Sequence, residues 1–373
     1  MNPKLFLRLA ALALALLPGT LFTANDSSNT GSVYTMDNSA SGNNVLVFQR
    51  GADGSLTPGG IFPTGGTGTS TGLGNQGAVV LSRDGQWLFV CNAGSDEISV
   101  FAVSRQGLQL TDKVSSEGRR PVSLALHRNL VYVLNAGGLV GDQDNITGYL
   151  FAKGRLSHLP GSTRPLSANS TDPAQVAFAN NGDVLVVTEK TTSIIDTFTV
   201  GDDGLVTGHM TFISPVPTPF GFATGRDGRI FVSEANGGAV DASSVSSYEV
   251  SDDGEVTAIS QSVPTTETAA CWVVLTRNER FAYTSNTGSG IISGYRVAPD
   301  GSLELLDADG ITGNTGDGSA PIDMALSRNS RFLYTLNSGT GTLSAFRVNA
   351  DGSLETLAGV SGIPAGANGL AGQ

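Results

Sequence analysis

Short apolar runs and glycine-centred turns alternate along the whole chain. A representative stretch has the apolar run Phe332–Asn337, then the alternating run Leu343–Val348, then the turn Asp351–Leu354 with Gly352 at its centre. Alternating apolar runs of about four to eight residues between turns predict β-strands, because successive side chains of a strand face opposite sides. Asp-Gly between two such runs predicts a tight hairpin, since glycine adopts a positive φ without strain.

This turn recurs seven times at a nearly constant interval. The turn glycines, separated by 53, 47, 50, 50, 47 and 51 residues, are Gly54, Gly107, Gly154, Gly204, Gly254, Gly301 and Gly352. After the first period, a further run precedes the other two, as at Pro321–Leu326, Pro173–Phe178 and Pro121–Leu126. Four strands in about 50 residues make one propeller blade. The sequence therefore predicts an all-β fold over residues 31–373, a seven-bladed β-propeller of four-stranded antiparallel blades.

The first period lacks its leading strand, because Ser32–Met36 already has the character of a second strand. The missing run occurs after the last hairpin, at Pro364–Leu370. We therefore predict that the C-terminal tail supplies the inner strand of blade 1 and closes the ring, which removes open sheet edges. The Gly/Thr-rich stretch Gly59–Gly77 is predicted to be a long loop from blade 1 to blade 2 that covers one mouth of the channel.

Composition and charge narrow the classes of function. Hydrophobic residues make up 39% of the chain and charged residues 14%, which excludes a disordered chain or a coiled coil. The formal net charge is −12, and no basic cluster is longer than Arg119-Arg120, which argues against nucleic acid as a partner. Cys91, Cys271 and the three histidines follow no metal-binding spacing, so no metal and no cofactor are predicted. We expect a monomer that binds a small molecule.

The N-terminus has the pattern of an export signal. Lys4 and Arg8 precede the apolar run Leu9–Leu17, and Pro18-Gly19 ends it. Nine residues are too few to span a bilayer, so residues 1–24 are predicted to be a signal peptide. The expected location is secreted or periplasmic, with no membrane contact beyond this segment.

The residue that ends the second strand varies around the ring. From blade 1 to blade 7 it is Asp37, Asn92, Asn135, Glu189, Glu234, Asn286 and Asn337. Asp and Asn fit an Asx turn, whereas Glu is one methylene too long for it. Glu189 and Glu234 are therefore candidates for a catalytic acid and base. The same two carboxylates would also fit a shared cation or a solvated surface.

Inner strands line the channel, and the side chain at one position of these strands varies in size around the ring. From blade 1 to blade 7 we align there Gly366, Ala78, Ser123, Gln175, Phe220, Trp272 and Asp323. The large residues predict a one-sided pocket wall formed by Gln175, Phe220 and Trp272, although aromatic rings that merely fill the channel would give the same pattern. Asn286 and Lys190 complete the predicted substrate-binding set. Lys190 is either a surface residue or the partner of a substrate carboxylate.

These repeats resemble those of the seven-bladed lactonase-like propeller family, which includes bacterial 6-phosphogluconolactonases and fungal carboxymuconate lactonising enzymes. The resemblance covers about residues 31–373 and rests on the Pro-x-x-x-Ala strand, the Leu-Tyr-Val-x-Asn strand end and the Asp-Gly-x-Leu turn. Blades 4 and 5 are similar to those of secreted bacterial members of unknown function, on Pro173-Ala174-Gln175 and Pro219–Phe222.

The resemblance implies an exported hydrolase or cyclase that acts on a small lactone or a related carboxylic substrate at the channel mouth. Glu189 matches the glutamate that the family carries at this strand end. The chain has Ala174-Gln175 where the family's lactonases carry Arg-His. The alternative hypothesis is a non-catalytic propeller that binds a small molecule, a glycan or a protein partner.

Overall fold

The computed structural model of the chain describes residues 30–137 and 143–373. The predicted signal peptide lies outside the described residues. Seven separate antiparallel sheets follow one another along the chain, which confirms the seven-bladed propeller. Among the described residues, no helix has the length and the apolar character that crossing a membrane would require.

The strands are short and evenly spaced, and two three-residue 3₁₀ helices, Asn180–Gly182 and Asn236–Gly238, interrupt them. In chain order the strands are β1 Gly31–Met36, β2 Asn44–Arg50, β3 Leu56–Pro63, β4 Val79–Leu81, β5 Trp87–Asn92, β6 Glu97–Ser104, β7 Gly107–Ser115, β8 Pro121–His127, β9 Leu130–Asn135, β10 Asn145–Ala152, β11 Arg155–His158, β12 Arg164–Pro165, β13 Pro173–Ala179, β14 Val184–Glu189, β15 Ile194–Val200, β16 Val206–Ile213, β17 Pro219–Thr224, β18 Arg229–Glu234, β19 Ser244–Val250, β20 Val256–Pro264, β21 Ala270–Leu275, β22 Phe281–Asn286, β23 Ile291–Val297, β24 Leu303–Leu305, β25 Gly313–Asn314, β26 Pro321–Leu326, β27 Phe332–Asn337, β28 Thr342–Val348, β29 Leu354–Ser361 and β30 Asn368–Gly372.

Each blade runs from an inner strand to an outer strand in chain order, except blade 1. Blades 2 to 7 begin with β4, β8, β13, β17, β21 and β26 as their inner strands. In blades 3 and 6 the outer position is shared by two short strands, because β12 pairs with β10 and β25 pairs with β23 beside β11 and β24.

Blade 1 combines both ends of the described chain. Its strand order is β3-β2-β1-β30, which confirms that the C-terminal tail closes the ring. The strand begins later than expected, at Asn368, because Ala367 N–H donates to the Pro364 carbonyl in a turn (2.9 Å). Gly366 therefore lies before the strand, and Asn368 pairs with Met36, as Asp323 pairs with Leu336 in blade 7, at the position that the prediction gave to Gly366.

Neighbouring blades are joined through the hairpin glycines. The hydroxyls of Tyr283 and Tyr334 donate to the carbonyl oxygens of Gly352 and Gly54 in the next blade, at 2.7 and 2.8 Å. A Cβ at Gly352 would lie 2.5 Å from the ring of Phe281, and the φ of this glycine is +96°. The glycine is thus required by the turn and also by the close approach of the neighbouring blade.

Candidate functional site

The channel has two mouths that the strand order distinguishes. At the upper mouth inner strands begin beside the ends of second strands, as in the pairing of Pro173 with Glu189 and of Ala270 with Asn286. At the lower mouth each inner strand turns into the second strand of its blade. All predicted site residues lie on strands near the upper mouth, with Lys190 directly after β14.

A loop of this chain covers the upper mouth. Residues 64–78, between β3 and β4, form this covering loop, while Gly59 to Pro63 belong to β3. Gln76 N–H donates to the Ala174 carbonyl of blade 4 (3.0 Å). The Gln76 amide also exchanges two hydrogen bonds with the backbone of Val273 in blade 6, at 2.8 and 3.1 Å. Our prediction that the Gly/Thr-rich stretch covers one mouth is therefore confirmed for residues 64–78.

Beneath the covering loop, a buried lysine lies against two aromatic rings. Lys190 Nζ lies 4.9 Å from the centroid of the Phe220 ring, and the Phe220 and Trp272 centroids are 4.9 Å apart. Lys190 Nζ is also 3.2 Å from Asp172 Oδ2. Burial lowers the pKa of the Lys190 ammonium below its ordinary value, and the Asp172 carboxylate opposes this effect.

Two donors of this cluster bind consecutive carbonyl oxygens of the covering loop. Lys190 Nζ donates to the carbonyl of Gly74, and Trp272 Nε1 donates to the carbonyl of Asn75 at 2.8 Å. An ammonium and an indole N–H aimed at neighbouring oxygens form a geometry that suits a carboxylate or a polarised acyl group.

Gln175 uses its side-chain amide to join two blades. Its Oε1 accepts from Phe222 N–H at 2.7 Å, and its Nε2 donates to the Phe222 carbonyl at 2.9 Å. Gln175 also lines a cavity of about 360 Å³ inside the channel, together with Gln76 and Asp323. Burial raises the pKa of Asp323 well above its ordinary value, and its Oδ2 has no hydrogen-bond partner among the described residues.

The strand pairing shows that Phe220 and Trp272 do not occupy equivalent positions of their inner strands. Pro219 pairs with Glu234 and Ala270 pairs with Asn286, so Phe220 is in register with Cys271, and Gly221 with Trp272. The predicted alignment of Phe220 with Gln175 and Trp272 is therefore wrong, because Phe220 is the second residue of its inner strand and Gly221 is the third. Phe220 and Trp272 nevertheless come into contact, because they lie on adjacent blades.

In three blades the strand-end asparagine bonds across to the third strand, whereas Asp37 of blade 1 accepts from Ser39 N–H (3.1 Å) in an Asx turn. Asn92, Asn286 and Asn337 donate through Nδ2 to a serine of the third strand, at 2.8, 2.9 and 2.8 Å respectively. Asn286, predicted to bind substrate, is fully buried and donates to Ser293. This position is thus part of the packing between strands in these blades.

Glu234 replaces the asparagine in blade 5 and is fully buried. Its carboxylate accepts from the hydroxyls of Ser246 (2.7 Å), Tyr248 (3.2 Å), Ser214 (3.3 Å) and Ser244. Burial raises the pKa of Glu234, and the four hydroxyl donors oppose the rise. Four donors on one carboxylate are enough to satisfy a buried anion.

Glu189, in blade 4, faces another acid. Its carboxylate accepts from Ser167 N–H (3.0 Å) and from the hydroxyls of Ser167 and Thr192. Burial, followed by the neighbouring carboxyl of Asp196, raises the pKa of Glu189 to about 7. Asp196 is itself fully buried, and its Oδ1 lies 3.0 Å from Nε2 of His209 on the outer strand.

Asp196 and His209 are not among the predicted site residues, although the repeat contains a signal for Asp196. The same position of the third strand, from blade 2 to blade 7, is Ser99, Thr147, Asp196, Ser246, Ser293 and Ser344. Asp196 is therefore a departure from the repeat in the same blade as Glu189. Within the described ranges, no three His, Cys, Asp or Glu side chains are arranged to hold a metal ion.

The fold is thus a seven-bladed propeller in which residues 64–78 of the same chain cover one channel mouth. Residues 24–149 and 215–321 match the family described as "Lactonase, 7-bladed beta-propeller", which is more than half of the chain. The protein belongs to this family.

A curated relative agrees with this assignment, and solved structures share the fold. A 6-phosphogluconolactonase of Pectobacterium carotovorum is 24% identical over 291 residues, which cover 74% of this chain and 80% of the relative. The periplasmic gluconolactonase of Pseudomonas aeruginosa superposes with a TM-score of 0.72 at 16% identity, covering 90% of this chain and 97% of that one. A protein of unknown function from Desulfotomaculum acetoxidans superposes with a TM-score of 0.66 at 14% identity, covering 90% and 96%.

Proposed function

We propose that the protein hydrolyses a small lactone at the upper mouth, between blades 4, 5 and 6. The observation that carries this proposal is the pair of buried donors, Lys190 Nζ and Trp272 Nε1, on consecutive carbonyl oxygens of the covering loop. Membership in the lactonase family and the 6-phosphogluconolactonase relative support the reaction class. A lactone carries a carbonyl oxygen of the kind that the loop offers to these two donors.

The reaction needs a stabilised oxyanion and a proton acceptor. Water adds to the ring carbonyl, the acyl C–O bond of the ring breaks, and the departing ring oxygen takes a proton to give a hydroxy acid. Lys190 and Trp272 are proposed to donate to the acyl oxygen as it gains negative charge. The covering loop has to release both donors first, and Gly72, Gly74 and Gly77 give it the backbone freedom to do so.

Glu189 and Glu234 are the proposed carboxylates of the site. A pKa of about 7 supports Glu189 as the acceptor of the water proton, because it is partly ionised at neutral pH and loses the proton readily. The hydroxyls of Ser167 and Thr192, which donate to it, would carry the proton to the buried carboxylate. Glu234 is proposed to support the adjacent blade as an anion held by hydroxyls. Gln175, Phe220 and Asn286 are proposed to shape the substrate pocket.

The proposal also covers the cellular location and the oligomeric state of the protein. We infer export to the periplasm or beyond, supported by the Lys4/Arg8 segment with its apolar run and by the periplasmic neighbour from Pseudomonas aeruginosa. A monomer with a small-molecule substrate fits a ring whose closure is made within one chain.

The test is a panel of aldonolactones, with and without a phosphate group, and of carboxylated γ-lactones. We expect turnover on at least one lactone, a loss of about 100-fold in kcat/KM for Lys190→Met and about 10-fold for Trp272→Phe. Trp272→Phe keeps an aromatic ring and removes only the N–H donor. Lys153→Met, at an exposed hairpin, is the matched control and should retain full activity. Absence of turnover on every lactone, from a folded protein, would refute the proposal.

A second candidate function is binding without catalysis. The chain has Ala174-Gln175 where lactonases of the family carry Arg-His, and the Gln175 amide is engaged by the Phe222 backbone. Calorimetry with the same lactones and their open hydroxy acids separates the two cases. Saturable binding with no product favours the binding module, whereas loss of the lactone signal favours the enzyme.

A further inference from the structure

Arginines border the lower mouth, at the end of the channel opposite the candidate site. The turn from inner strand to second strand carries an arginine in five blades, namely Arg83, Arg128, Arg226, Arg277 and Arg328. Neighbouring turns are tied together, because Arg277 N–H donates to Ser330 Oγ (2.9 Å) and Arg226 N–H to Glu279 Oε1 (3.1 Å). Residues from distant parts of the sequence thus meet on one face.

Four arginines line a single cleft on this face, and Arg50 is the one among them that is buried. The cleft has a volume of about 1000 Å³ and lies against blades 1 and 2. Arg105 enters from the hairpin of blade 2, and Arg277 and Arg328 enter from the turns of blades 6 and 7. Among the described residues that line it, Asp84 is the one acid, and its carboxylate accepts from Ser82 Oγ (2.5 Å) and Gln86 N–H (3.0 Å).

The nearby acid Asp84 interacts with these guanidinium groups only through space: hydrogen bonds from Ser82 and Gln86 are the main cause that lowers its pKa, and the charge of Arg328 adds a smaller effect. Within the described part of the chain, no ion pair or side-chain hydrogen bond engages Arg105, Arg277 or Arg328. Arg226 and Arg347 show the usual arrangement elsewhere, since they pair with glutamates at 3.2 and 3.4 Å. Three unpaired cations in one cleft are unexpected in a chain with 33 acidic and 21 basic residues.

Hydrogen bonds and ring packing hold the base of the cleft in place. Arg50 is almost fully buried, donates to the Gln373 carbonyl through Nε (3.2 Å) and Nη2 (3.0 Å), and packs over the Phe332 ring at 5.5 Å. It fixes the last described residue beside β1 and holds that wall in place. The three arginines without an ion pair therefore line a cleft whose base has a fixed position in the fold.

We propose that this lower-mouth cleft binds a small organic anion with two or more phosphate or carboxylate groups. The planar guanidinium fork matches both groups, and each such contact is charge-assisted. A volume of about 1000 Å³ exceeds what a single inorganic ion fills and is at the upper end for small-molecule sites. The site is separate from the upper mouth, so it does not depend on the proposed lactone hydrolysis.

Titration calorimetry at low ionic strength tests the site with tripolyphosphate and citrate as probes and acetate as the monovalent reference. We expect saturable binding of at least one polyanion below about 1 mM, and at least about tenfold weaker affinity at physiological salt. The double variant Arg277→Gln/Arg328→Gln should bind at least about 10-fold more weakly. Asp84→Asn should bind about 3-fold more tightly, because it removes the one negative charge and keeps the turn.

Arg155→Gln is the matched control, since this arginine is exposed on the outer strand of blade 3. It should bind the probes like the unaltered protein, and all variants should show the same melting temperature within the error. The proposal is overturned if neither polyanion binds below about 1 mM. It is also overturned if the double variant and the control lose affinity equally. Titration calorimetry measures binding and requires no turnover, so the result is independent of lactonase activity.

Discussion

Lys190 and Gly74 are 116 residues apart in the chain, and the Lys190 ammonium donates a hydrogen bond to the Gly74 carbonyl. This bond joins a strand end of blade 4 to the loop that covers the upper mouth. Together with the bond from Trp272 to Asn75, it holds the loop over the candidate site. Substrate entry and loop release are thus one event in the proposed mechanism.

The first prediction concerns this restraint. Lys190→Met keeps a long apolar side chain against Phe220 and removes the donor to Gly74, so the covering loop should open more often. We expect faster amide exchange by mass spectrometry for peptides that span residues 72–77, and stronger acrylamide quenching of Trp272 fluorescence. Lys153→Met serves as the control. If amide exchange in the covering loop is unchanged in the Lys190→Met variant, the lysine does not restrain the loop.

The second prediction concerns pH. The folded pKa of Glu189, about 7, lies above its unfolded value, so the folded state holds the proton more tightly. This contribution to stability is complete below about pH 4.5 and is lost as the pH rises through about 7. The pKa of His209 is raised by its bond to Asp196, and this contribution is also lost as the pH rises through that raised pKa.

Glu189→Gln tests the sign of this effect, because glutamine cannot ionise. The full shift corresponds to about 3 kcal/mol, and relaxation around the acid pair should reduce this to about 1–2 kcal/mol. Urea unfolding between pH 5 and pH 8 should show the variant gaining stability relative to the unaltered protein by this amount. The exposed control Glu304→Gln should show no such trend. A variant that loses relative stability as the pH rises would contradict the assignment.

The third prediction concerns the joints between blades. Gly352→Ala should destabilise the protein by about 2–4 kcal/mol, because the added Cβ meets the Phe281 ring at 2.5 Å and the φ of +96° disfavours alanine. Gly237→Ala is the matched control for φ alone, since its φ is +63° and nothing lies within 4 Å of the added Cβ. It should cost about 1 kcal/mol in urea unfolding. Equal losses for both variants would argue against a clash between blades.

The fourth prediction concerns the channel. Burial raises the pKa of Asp323 well above its ordinary value, so the stability that depends on its protonated form is lost as the pH rises. Asp323→Ser introduces the residue that blade 3 carries at this position, Ser123. The variant should gain stability over the unaltered protein between pH 6 and pH 9, measured by thermal melting. A constant difference across this range would mean that the folded pKa of Asp323 lies below it and would contradict the raised pKa.

The fold could be predicted because its signals are local. An Asp-Gly turn such as Asp351-Gly352 needs only its own φ values, and the alternation of Leu343–Val348 follows from the two faces of one strand. Seven such units at nearly equal intervals imply seven blades wherever each side chain points. The unusual strand ends Glu189 and Glu234 were visible for the same reason, as departures from a repeat.

The site depended on contacts that no local pattern encodes. Phe220 and Trp272 come into contact because they lie on adjacent blades, although they occupy different positions of their strands, and the acidic neighbour of Glu189 is Asp196 on the next strand. Whether Lys190 faces solvent or the covering loop is decided by the path of residues 64–78 across the channel.

The sequence by itself determined the class, the number of blades and the closure by the C-terminal tail, because turn chemistry and strand alternation act over a few residues. Only the tertiary structure decided which charges meet. No basic cluster exceeds a dipeptide along the chain, yet closing the ring brings Arg105, Arg277 and Arg328 to one cleft. Electrostatic interaction depends on distance in space, and in a propeller that distance is set by the ring rather than by separation along the chain.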